Sequence, residues 1–248
     1  MKICLVIPFY RHENAIAATI AAVKPMRLPC ILVDDGSGPD ALHSLQALAA
    51  QEADWLTVLH LPTNQGKGAA VMAGMEAAAR DGFTHALQID ADGQHDSTDI
   101  PNLIAAAKAN PRAVVTGVPR YDESVPRSRL YGRYFTHLWV WINTLSLQIK
   151  DSMCGFRVYP VLPSLAVWRR MRWGRRMDFD TEILVRLFWI GVPVIGLPTR
   201  VTYPSDGVSN FDLVRDNLRI AWMHTRLFLG MLPRLPWLLG RRLVRRPA

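Results

Sequence analysis

The stretch from Lys2 to Gly38, KICLVIPFYRHENAIAATIAAVKPMRLPCILVDDGSG, decides the fold class. It begins with a short apolar run, continues through the helical pattern ENAIAATIAAVKP, and reaches a second apolar run, CILV, that ends in two aspartates. Short runs that are apolar at nearly every position are typical of parallel strands buried on both faces of a sheet. The stretch therefore predicts a β-α-β unit.

The same alternation continues to residue 118. The predicted elements are a helix over ALHSLQALAAQEA (41–53), a third strand over WLTVLHLP (55–62), a helix over NQGKGAAVMAGMEAAARDG (64–82), a fourth strand over FTHALQID (83–90), a helix from Ser97 or Thr98 to Asn110, and a fifth strand over AVVTGV (113–118). We expect an α/β fold with a mostly parallel sheet flanked by helices. Beyond Arg120 arginines and aromatic residues are mixed, and the pattern is less regular.

Length and composition predict one principal domain, since the chain has 248 residues and half of them are apolar. Three scattered cysteines have neither zinc-site nor disulfide spacing, which favours a reducing compartment. Pro8 and the polar residues after it interrupt the N-terminal apolar run before a signal peptide develops. Arg226 and Arg234 break the most apolar segment, so we expect no membrane-crossing helix.

Charge is distributed unevenly along the chain. Residues 1–110 have 7 Lys and Arg against 12 Asp and Glu, whereas residues 111–248 have 22 against 9. The basic half could attract nucleic acid, anionic lipid or a phosphorylated substrate, and charge alone does not separate these partners. Near the C-terminus, tryptophans and leucines from Trp222 to Leu239 are interleaved with arginines.

This C-terminal composition is typical of a segment that lies on a membrane surface. The alternative is a helix that packs its apolar face on the protein's own core and ends in a solvated basic tail, and different turns can satisfy both. We divide the chain into a domain over residues 1–210 and an amphipathic basic segment over 211–248, associated with the membrane surface.

Polar residues follow three of the predicted strands. Tyr10 to Glu13 follow the first strand, Asp34 to Ser37 end the second, and Asp90 to Gln94 follow the fourth. In an open parallel sheet the ligand site lies outside the carboxyl ends of the strands, so these three loops should converge on one rim.

The sequence Asp90-Ala91-Asp92-Gly93-Gln94 places two carboxylates and an amide at alternate positions. Alternate side chains of an extended chain share one side, so Asp90, Asp92 and Gln94 could bind one cation. Oxygen ligands favour Mg²⁺ or Mn²⁺, and such an ion usually completes its shell with phosphate oxygens. An exposed acidic turn is the alternative interpretation, but the position after a buried strand favours a metal site.

Two further loops could contribute to this rim. Asp35 could accept hydrogen bonds from a nucleobase or ribose, although Asp, Gly and Ser are also common in ordinary turns. The sequence Gly66-Lys67-Gly68 lacks the P-loop pattern, but a lysine at a helix start could assist in binding an anion. A solvated lysine is the alternative interpretation, and the motif alone favours it.

Together VIPFYRHENA, VDDGSG, NQGKGAAVMAG, QIDADGQH and DSMCGFRVYP resemble, in this order, the family 2 glycosyltransferases of the GT-A fold. The subgroup they resemble is that of the dolichyl-phosphate mannose synthase-like enzymes, and the likeness covers about residues 1 to 210. It implies a Rossmann-like GT-A domain and an inverting enzyme that uses a nucleoside-diphosphate sugar.

The resemblance implies a set of site residues. Pro8, Tyr10, Glu13 and Asp35 would line the nucleoside pocket, and Asp90, Asp92 and Gln94 would hold the Mg²⁺ or Mn²⁺ that bridges the donor's diphosphate. We expect Lys67 and Asp90 also to bind the donor and Asp92 to act in catalysis. The metal would neutralise charge on the departing nucleoside diphosphate.

On the acceptor side, the resemblance assigns the phosphate of a lipid-linked acceptor to Arg120, Arg129 and Arg133. A solvated or lipid-facing basic surface is the alternative for any one of these arginines. The family's C-terminal G-x-S-K motif reads Gly207-Val208-Ser209-Asn210 here, so its lysine is missing.

Whether a base is needed depends on the acceptor. A phosphate is already anionic, whereas a glycolipid hydroxyl must lose a proton. Many hydroxyl-using members of the family carry their base near the segment Asp178 to Glu182, so the resemblance points to Asp180 as the base. An acidic residue favoured by a helix N-terminus is the alternative interpretation of Asp180. Polyprenyl phosphate is the favoured acceptor, and the hydroxyl of an amphiphilic glycolipid is the second candidate.

Three other classes of protein agree less well with the sequence. A sugar nucleotidyltransferase would have a glycine-rich basic signature after the first strand, a nucleic-acid-binding protein leaves the acidic triplet unexplained, and a catalytically inactive scaffold leaves the intact triplet unexplained. We expect a peripheral enzyme at the cytoplasmic face of the cell membrane, with no nucleic-acid partner. The donor's base and sugar and the oligomeric state are not predicted.

Overall fold

The computed structural model describes the backbone of residues 1–120, 127–202 and 212–244, with side chains throughout except at 127–131, 213 and 242–244. Within these ranges seven strands form one sheet: β1 (Ile3–Phe9), β2 (Cys30–Asp35), β3 (Leu56–Leu61), β4 (His85–Gln88), β5 (Val114–Arg120), β6 (Arg157–Pro160) and β7 (Val194–Arg200). Their order across the sheet is β3-β2-β1-β4-β6-β5-β7.

The sheet is mostly parallel. β1 pairs in parallel with β2 and β4, β2 with β3, and β5 with β7, whereas β6 lies antiparallel between β4 and β5. The carboxyl ends of the six parallel-running strands therefore meet at one edge, which we call the carboxyl-end rim. The predicted mostly parallel α/β sheet is confirmed.

Helices cover both faces of the sheet. They are α1 (Glu13–Val23), α2 (Pro39–Gln51), α3 (Lys67–Arg80), α4 (Ile100–Ala109), α5 (Arg127–Thr144), α6 (Val161–Trp168), α7 (Phe179–Trp189), α8 (Leu213–Met231) and α9 (Leu235–Val244). Short 3₁₀ helices occupy Lys24–Met26, Ser97–Asp99 and Leu232–Arg234.

Alternation along the strands divides the apolar core into two layers. Cys4 and Val6 of β1 face one layer, which includes buried side chains of α3, α5, α6, α7, α8 and α9. Leu5 and Ile7 face the other layer, which includes buried side chains of α1, α2 and α4. Because successive side chains of a strand point to opposite faces, β1 must be apolar at nearly every position, as its sequence indicates.

The region after Arg120, which had no regular sequence pattern, contains the 18-residue helix α5. Its exposed side chains include Tyr134, Phe135 and Leu138, while Val140 is fully buried. Aromatic and apolar residues on opposite faces hide the usual helical period of the apolar pattern.

Helix α8 has two apolar faces. Met223, Leu227 and Met231 are buried in the core, whereas Val214 and Leu218 are exposed on the other side. The packed interpretation of the C-terminal sequence is therefore confirmed for the inner face. None of the helices in the described ranges is long and apolar enough to cross a membrane.

Candidate functional site

Hydrogen bonds from backbone amides to side-chain oxygens connect the loops that follow β1, β2 and β3. The amide of Arg11, after β1, donates to Ser37 Oγ at 3.2 Å, and Arg11 takes a φ of 53°. Asp35, at the end of β2, accepts from the backbone amides of Gln65 at 2.7 Å and Gly66 at 2.8 Å. These contacts hold three loops together at the carboxyl-end rim.

The carboxylate of Asp35 therefore already has two protein donors. Burial raises the pKa of Asp35, while the hydrogen bonds from Gln65 and Gly66 lower it. The predicted contact of Asp35 with a nucleobase or ribose must use the remaining lone pairs of its two oxygens. In this structure Asp35 positions the start of α3.

Gly66 is required at this start. Its φ is 101°, and a Cβ built on it would lie 2.5 Å from the carbonyl oxygen of Arg175. That carbonyl accepts from the amide of Ala69 at 3.2 Å. A side chain at position 66 would be strained by the left-handed backbone and would clash with the segment that precedes α7.

Lys67 lies between two carboxylates contributed by distant parts of the chain. Its Nζ donates to Asp90 Oδ2 and to Asp180 Oδ2, both at 2.8 Å. The three side chains are 7 to 20% exposed. The structure thus brings three of the predicted site residues into direct contact at the carboxyl-end rim.

Gln88 and Gly155 complete this cluster. Gln88 Nε2 donates to Asp90 Oδ1 and to Asp180 Oδ1, both at 3.3 Å, so each carboxylate is held at both oxygens. A Cβ on Gly155 would lie 2.6 Å from Asp90 Oδ2, so only glycine fits against this carboxylate. Sequence reasoning assigned no individual role to either residue.

Opposite charges in this cluster shift the pKa values of Asp90 and Lys67. Burial raises the pKa of Asp90, but Lys67 and His95 outweigh that effect and hold it well below its usual range. Burial lowers the pKa of Lys67, but the carboxylates of Asp180 and Asp90 raise it above its ordinary value. Lys67 is therefore an ammonium ion throughout the ordinary pH range.

Asp92 and Gln94 lie in the turn that follows β4. Asp92 Oδ1 accepts from the amide of Gln94 at 3.1 Å, and burial followed by the charge of Asp90 raises the pKa of Asp92. His95 Nε2 lies 3.6 Å from Asp90 Oδ2, and its ring stacks on Phe156 at 5.1 Å.

A divalent cation would have to use oxygen ligands here. In the described part of the chain, no group of three His, Cys, Asp or Glu side chains could hold a metal ion. Asp90 and Asp92 nevertheless fit a hard cation whose remaining ligands are an amide oxygen and phosphate oxygens. Lys67 and Gln88 donate to the two oxygens of Asp90 in this structure, so a cation would have to use the remaining lone pairs of this carboxylate or displace Lys67.

Arg157 is the main site-organising residue that sequence reasoning missed. It is fully buried on β6 and donates from Nε to Thr116 Oγ1 at 3.0 Å and from Nη1 to Tyr159 Oη at 3.1 Å. It also donates to the backbone carbonyls of Ser152 and Asp180. One guanidinium therefore connects the Ser152 loop to the first turn of α7, and the F-R pair in DSMCGFRVYP was its sequence signal.

Arg133 is paired within the protein. Its Nε donates to Asp151 Oδ2 at 2.6 Å and its Nη2 donates to Asp151 Oδ1 at 3.0 Å, in a bidentate arrangement. Asp151 also accepts from the amides of Met153 and Cys154, and burial of its carboxylate is outweighed by His137 and Arg133, which hold its pKa well below the usual range. Arg133 therefore holds the Asp151 loop, and an acceptor phosphate would share it with Asp151.

The remaining predicted residues occupy the same rim or lie outside the description. Pro8 is buried in β1, Tyr10 is half-buried, and Glu13 is exposed at the start of α1. Arg120 is exposed at the carboxyl end of β5. The side chain of Arg129 and the segment Gly207 to Asn210 lie outside the described residues.

A mostly parallel sheet with an acidic turn, a lysine and a buried arginine at its carboxyl-end rim defines an α/β protein whose candidate ligand site lies at that rim. Residues 4–171 match the family model described as glycosyl transferase family 2. This match covers more than half of the chain, so the protein belongs to glycosyl transferase family 2 and is a glycosyltransferase. The family predicted from the sequence motifs is confirmed.

Known relatives agree with this assignment. The chain is 23% identical over 246 residues to an undecaprenyl-phosphate mannosyltransferase of Micrococcus luteus, with 93% of this chain and 100% of that protein covered. It is 34% identical over 163 residues to an undecaprenyl-phosphate 4-deoxy-4-formamido-L-arabinose transferase of Pseudomonas fluorescens. That match covers 63% of this chain and 46% of the relative, so the chain spans about half the length of such transferases.

Solved structures support the fold. Glucosyl-3-phosphoglycerate synthase from Mycobacterium tuberculosis, in complex with Mn²⁺ and UDP-glucose, superposes with a TM-score of 0.64 at 17% identity and covers 94% of this chain and 78% of that one. S. aureus TarS 1–349 superposes with a TM-score of 0.54 at 15% identity, covering 93% of this chain and 71% of that one. The GT-A fold expected from the resemblance is confirmed.

Proposed function

We propose that this enzyme transfers a sugar from a nucleoside-diphosphate donor to the phosphate of a polyprenyl phosphate, with inversion at the anomeric carbon. The observation that carries this proposal is the contact of Lys67 with Asp90 and Asp180 at the carboxyl-end rim. It supports the proposal because an ammonium ion and the first carboxylate of the acidic triplet lie together at the rim where open parallel sheets bind their ligands. The names of the Micrococcus and Pseudomonas relatives favour a polyprenyl-phosphate acceptor.

On the donor side, the loops joined through Arg11, Asp35 and Gly66 would form the wall of the nucleoside pocket. Tyr10 could stack on the base, and Asp35 and Glu13 could accept hydrogen bonds from base or ribose. Lys67, at the start of α3, would keep its contact with Asp180 and turn from Asp90 toward a diphosphate oxygen, helped by the partial positive charge of the helix N-terminus.

Asp90, Asp92 and Gln94 would hold a divalent cation that neutralises charge on the leaving nucleoside diphosphate. Mn²⁺ is present in the solved synthase structure, and the oxygen donor set here suits either Mn²⁺ or Mg²⁺. Gly155 would leave Asp90 free to turn toward the cation, because no side chain occupies the space beside it.

On the acceptor side, Arg120 and Arg133 would orient the phosphate that attacks the anomeric carbon, and Arg129 on α5 is proposed as their third partner. Guanidinium groups suit phosphate oxygens, and a phosphate needs no protein base at neutral pH. Asp180, with hydrogen bonds at both oxygens, would position Lys67 and Gln88 rather than remove a proton.

A lipid-linked acceptor requires the enzyme to work at a membrane surface. We propose a peripheral location at the cytoplasmic face of the cell membrane, with residues 1–210 as the catalytic part and 211–248 as the segment that meets the surface. The positive surplus of the second half of the chain supports this location.

The test incubates the purified full chain with polyprenyl phosphate and radiolabelled UDP-glucose, UDP-N-acetylglucosamine or GDP-mannose, with Mn²⁺ or with EDTA. We expect one donor to label the lipid only when the metal is present. Asp92→Asn should lower this transfer by about a hundredfold or more, since it removes a carboxylate from the metal site. Asp40→Asn, at the exposed start of α2, is the matched control and should keep full activity.

Metal-dependent binding of a nucleotide sugar without transfer to any polyprenyl phosphate would contradict the proposed acceptor. Transfer that survives Asp92→Asn would contradict the proposed metal site. Transfer to a glycolipid hydroxyl instead would favour the alternative in which Asp180 acts as the base.

A further inference from the structure

Helices α5 and α8 present a continuous apolar surface away from the core. Their inner faces join one apolar layer, in which Val140 of α5 lies with Met223, Leu227 and Met231 of α8. Because both inner faces point toward the same core, both outer faces point away from it on one side of the molecule. Trp139 of α5 contacts the rings of His224 and Phe228 of α8, so the two helices lie side by side.

The outer face of α8 is a stripe of apolar side chains. Val214, Leu218 and Trp222 follow at intervals of four residues, and Leu229 and Leu232 continue the row at helical spacing. All five are exposed, Leu218 by 66% and Trp222 by 51%. A soluble helix normally places polar residues opposite its buried face, so this second apolar stripe indicates a partner.

Two other segments extend the stripe into a surface. Tyr134, Phe135 and Leu138 are exposed on the outer face of α5. The guanidinium carbon of Arg226 lies 5.8 Å from the ring centroid of Trp173, in the segment between α6 and α7, and 5.8 Å from that of Trp222. Arg226 in turn donates to the buried Glu182 at 2.7 Å, so this pair of tryptophans is held in place.

We propose that this surface, which we call the outer α5–α8 face, docks on a bilayer that contains anionic lipid. The face is defined by Tyr134, Phe135, Leu138, Trp173, Val214, Leu218, Trp222, Leu229 and Leu232. The inference rests on the proposed function, since it names the surface that brings the site to its membrane-bound acceptor.

Charge complementarity selects lipid as the occupant. Trp173 lies within RRMRWGRR, residues 169–176, which contains five arginines and no carboxylate. Arg170 and Arg172 are exposed beside it. Tryptophan and tyrosine rings suit the headgroup boundary of a bilayer, and each arginine near an anionic surface adds to the attraction.

A second copy of this chain fits the face less well. Twofold pairing would place the same surface patch of each copy against the other, so the arginine-rich segments would meet like charge. An anionic bilayer instead offers the opposite charge around an apolar interior. The arginines that repel a second copy therefore attract the lipid.

The test measures sedimentation of the full chain with vesicles of phosphatidylcholine alone or with about 30% phosphatidylglycerol. We expect binding to the anionic vesicles that weakens with salt. Leu218→Glu and Leu229→Glu should each weaken it about tenfold, because each places a charge in the apolar stripe. Leu162→Glu, on α6 and 72% exposed, is the matched control and should bind like the unaltered chain.

The charge is tested separately. Arg172→Gln should reduce both the binding and its salt dependence, whereas Arg112→Gln, exposed in the turn before β5, should change neither. Transfer to a short, water-soluble polyprenyl phosphate should be unchanged in all five variants, so that loss of docking is distinguished from failure of the proposed function. Absence of that transfer in the unaltered chain would instead contradict the proposed function.

Three results would overturn the docking proposal. One is a failure of the unaltered chain to bind anionic vesicles. Another is an equal loss of binding in Leu162→Glu and Leu218→Glu. A third is a dimer in lipid-free solution that Leu218→Glu dissociates, measured by light scattering, because the face would then join two copies of the chain.

Discussion

Asp180 accepts hydrogen bonds at both carboxylate oxygens and at its backbone carbonyl. Its Oδ2 accepts from Lys67 and its Oδ1 from Gln88, while Arg157 donates to its backbone carbonyl. A substrate hydroxyl would have to use the lone pairs that these donors leave on Asp180, beside the positive charge of Lys67. The geometry therefore favours a positioning role over base catalysis.

Asp180→Asn tests this role. With polyprenyl phosphate as acceptor we expect kcat to fall by about tenfold or less, since the amide oxygen can still accept from Lys67 or Gln88. The pH profile should keep its shape. Initial rates between pH 6 and 9 give both quantities, and Asp178→Asn, which leaves the Lys67 contacts intact, is the matched control.

A loss of about a hundredfold or more in Asp180→Asn, with donor binding intact, would mark removal of a catalytic base. The hydroxyl-acceptor alternative would then replace the phosphate acceptor. Loss of donor binding would instead mean that the Lys67 cluster forms part of the donor site, in agreement with the positioning role.

At the level of single residues, the sequence predicted several members of the cluster but not their contacts. Lys67, Asp90 and Asp180 were each named from local patterns, yet 113 positions separate the lysine from Asp180. Arg157 was missed because a fully buried arginine in a strand runs against the usual distribution of charged residues. Two of its acceptors are the backbone carbonyls of Ser152 and Asp180, which no side-chain pattern encodes.

Among the elements, α9 shows how the C-terminal segment packs. Leu238 is 3% exposed and belongs to the core layer of α8, while its neighbour Leu239 is 48% exposed. Adjacent leucines on one helix therefore have opposite environments, which makes them a matched pair.

Leu238→Ala should lower the free energy of unfolding by about 2 kcal/mol or more, because it leaves a cavity between α9 and the core. Leu239→Ala should change it by less than about 0.5 kcal/mol, as expected for a surface position. Urea unfolding at neutral pH measures both values. Equal effects would show that α9 does not pack on the core in solution.

The sequence predicted helices and strands correctly where the apolar residues follow one clear pattern. It did not predict elements whose apolar residues lie on both faces or are few. The five strands up to residue 118 were predicted from short runs rich in apolar residues, and all five form within a few residues of the predicted bounds. Helix α5 has apolar residues on both faces, so no single stripe marks it. Strand β6, four residues that include a buried arginine and a proline, has no strand pattern at all.

The free energy of unfolding of the whole molecule should depend on pH because of the buried His224. The ring is 3% exposed, stacks on Trp139 at 6.0 Å, and among the described residues has no hydrogen-bond partner at either nitrogen. Burial lowers the pKa of His224 to about 4 from 6.5. Protonation of His224 therefore favours the unfolded chain. The stability that the neutral ring contributes is fully present above about pH 6.5 and is lost as the pH falls toward 4.

The free energy of unfolding should consequently decrease between pH 7 and pH 5 by about 2 kcal/mol from this group alone. His224→Phe should flatten the decrease, because phenylalanine keeps the ring stack and cannot bind a proton. Urea unfolding at both pH values measures the difference, with His43→Gln, exposed on α2, as the control. An unchanged slope in His224→Phe would show that another group causes the dependence.

The architecture of the molecule was predictable because the β-α-β order, the polar loops after strands and the family motifs all pointed to one fold. The antiparallel insertion of β6 between β4 and β5 was not, since strand order depends on long-range pairing. This insertion places Arg157 and Gly155 beside β4, so the unpredicted topology supplies part of the candidate site.

One helix connects the reaction to the proposed lipid surface. Arg133 and Phe135 lie two residues apart on α5, the first paired with Asp151 near the site and the second on the outer α5–α8 face. With that face on a bilayer, α5 would contact the headgroups on one side and carry a proposed acceptor-phosphate residue on the other. The lipid carrier would then reach the enzyme by lateral diffusion, and turnover would follow its mole fraction in the membrane rather than its bulk concentration.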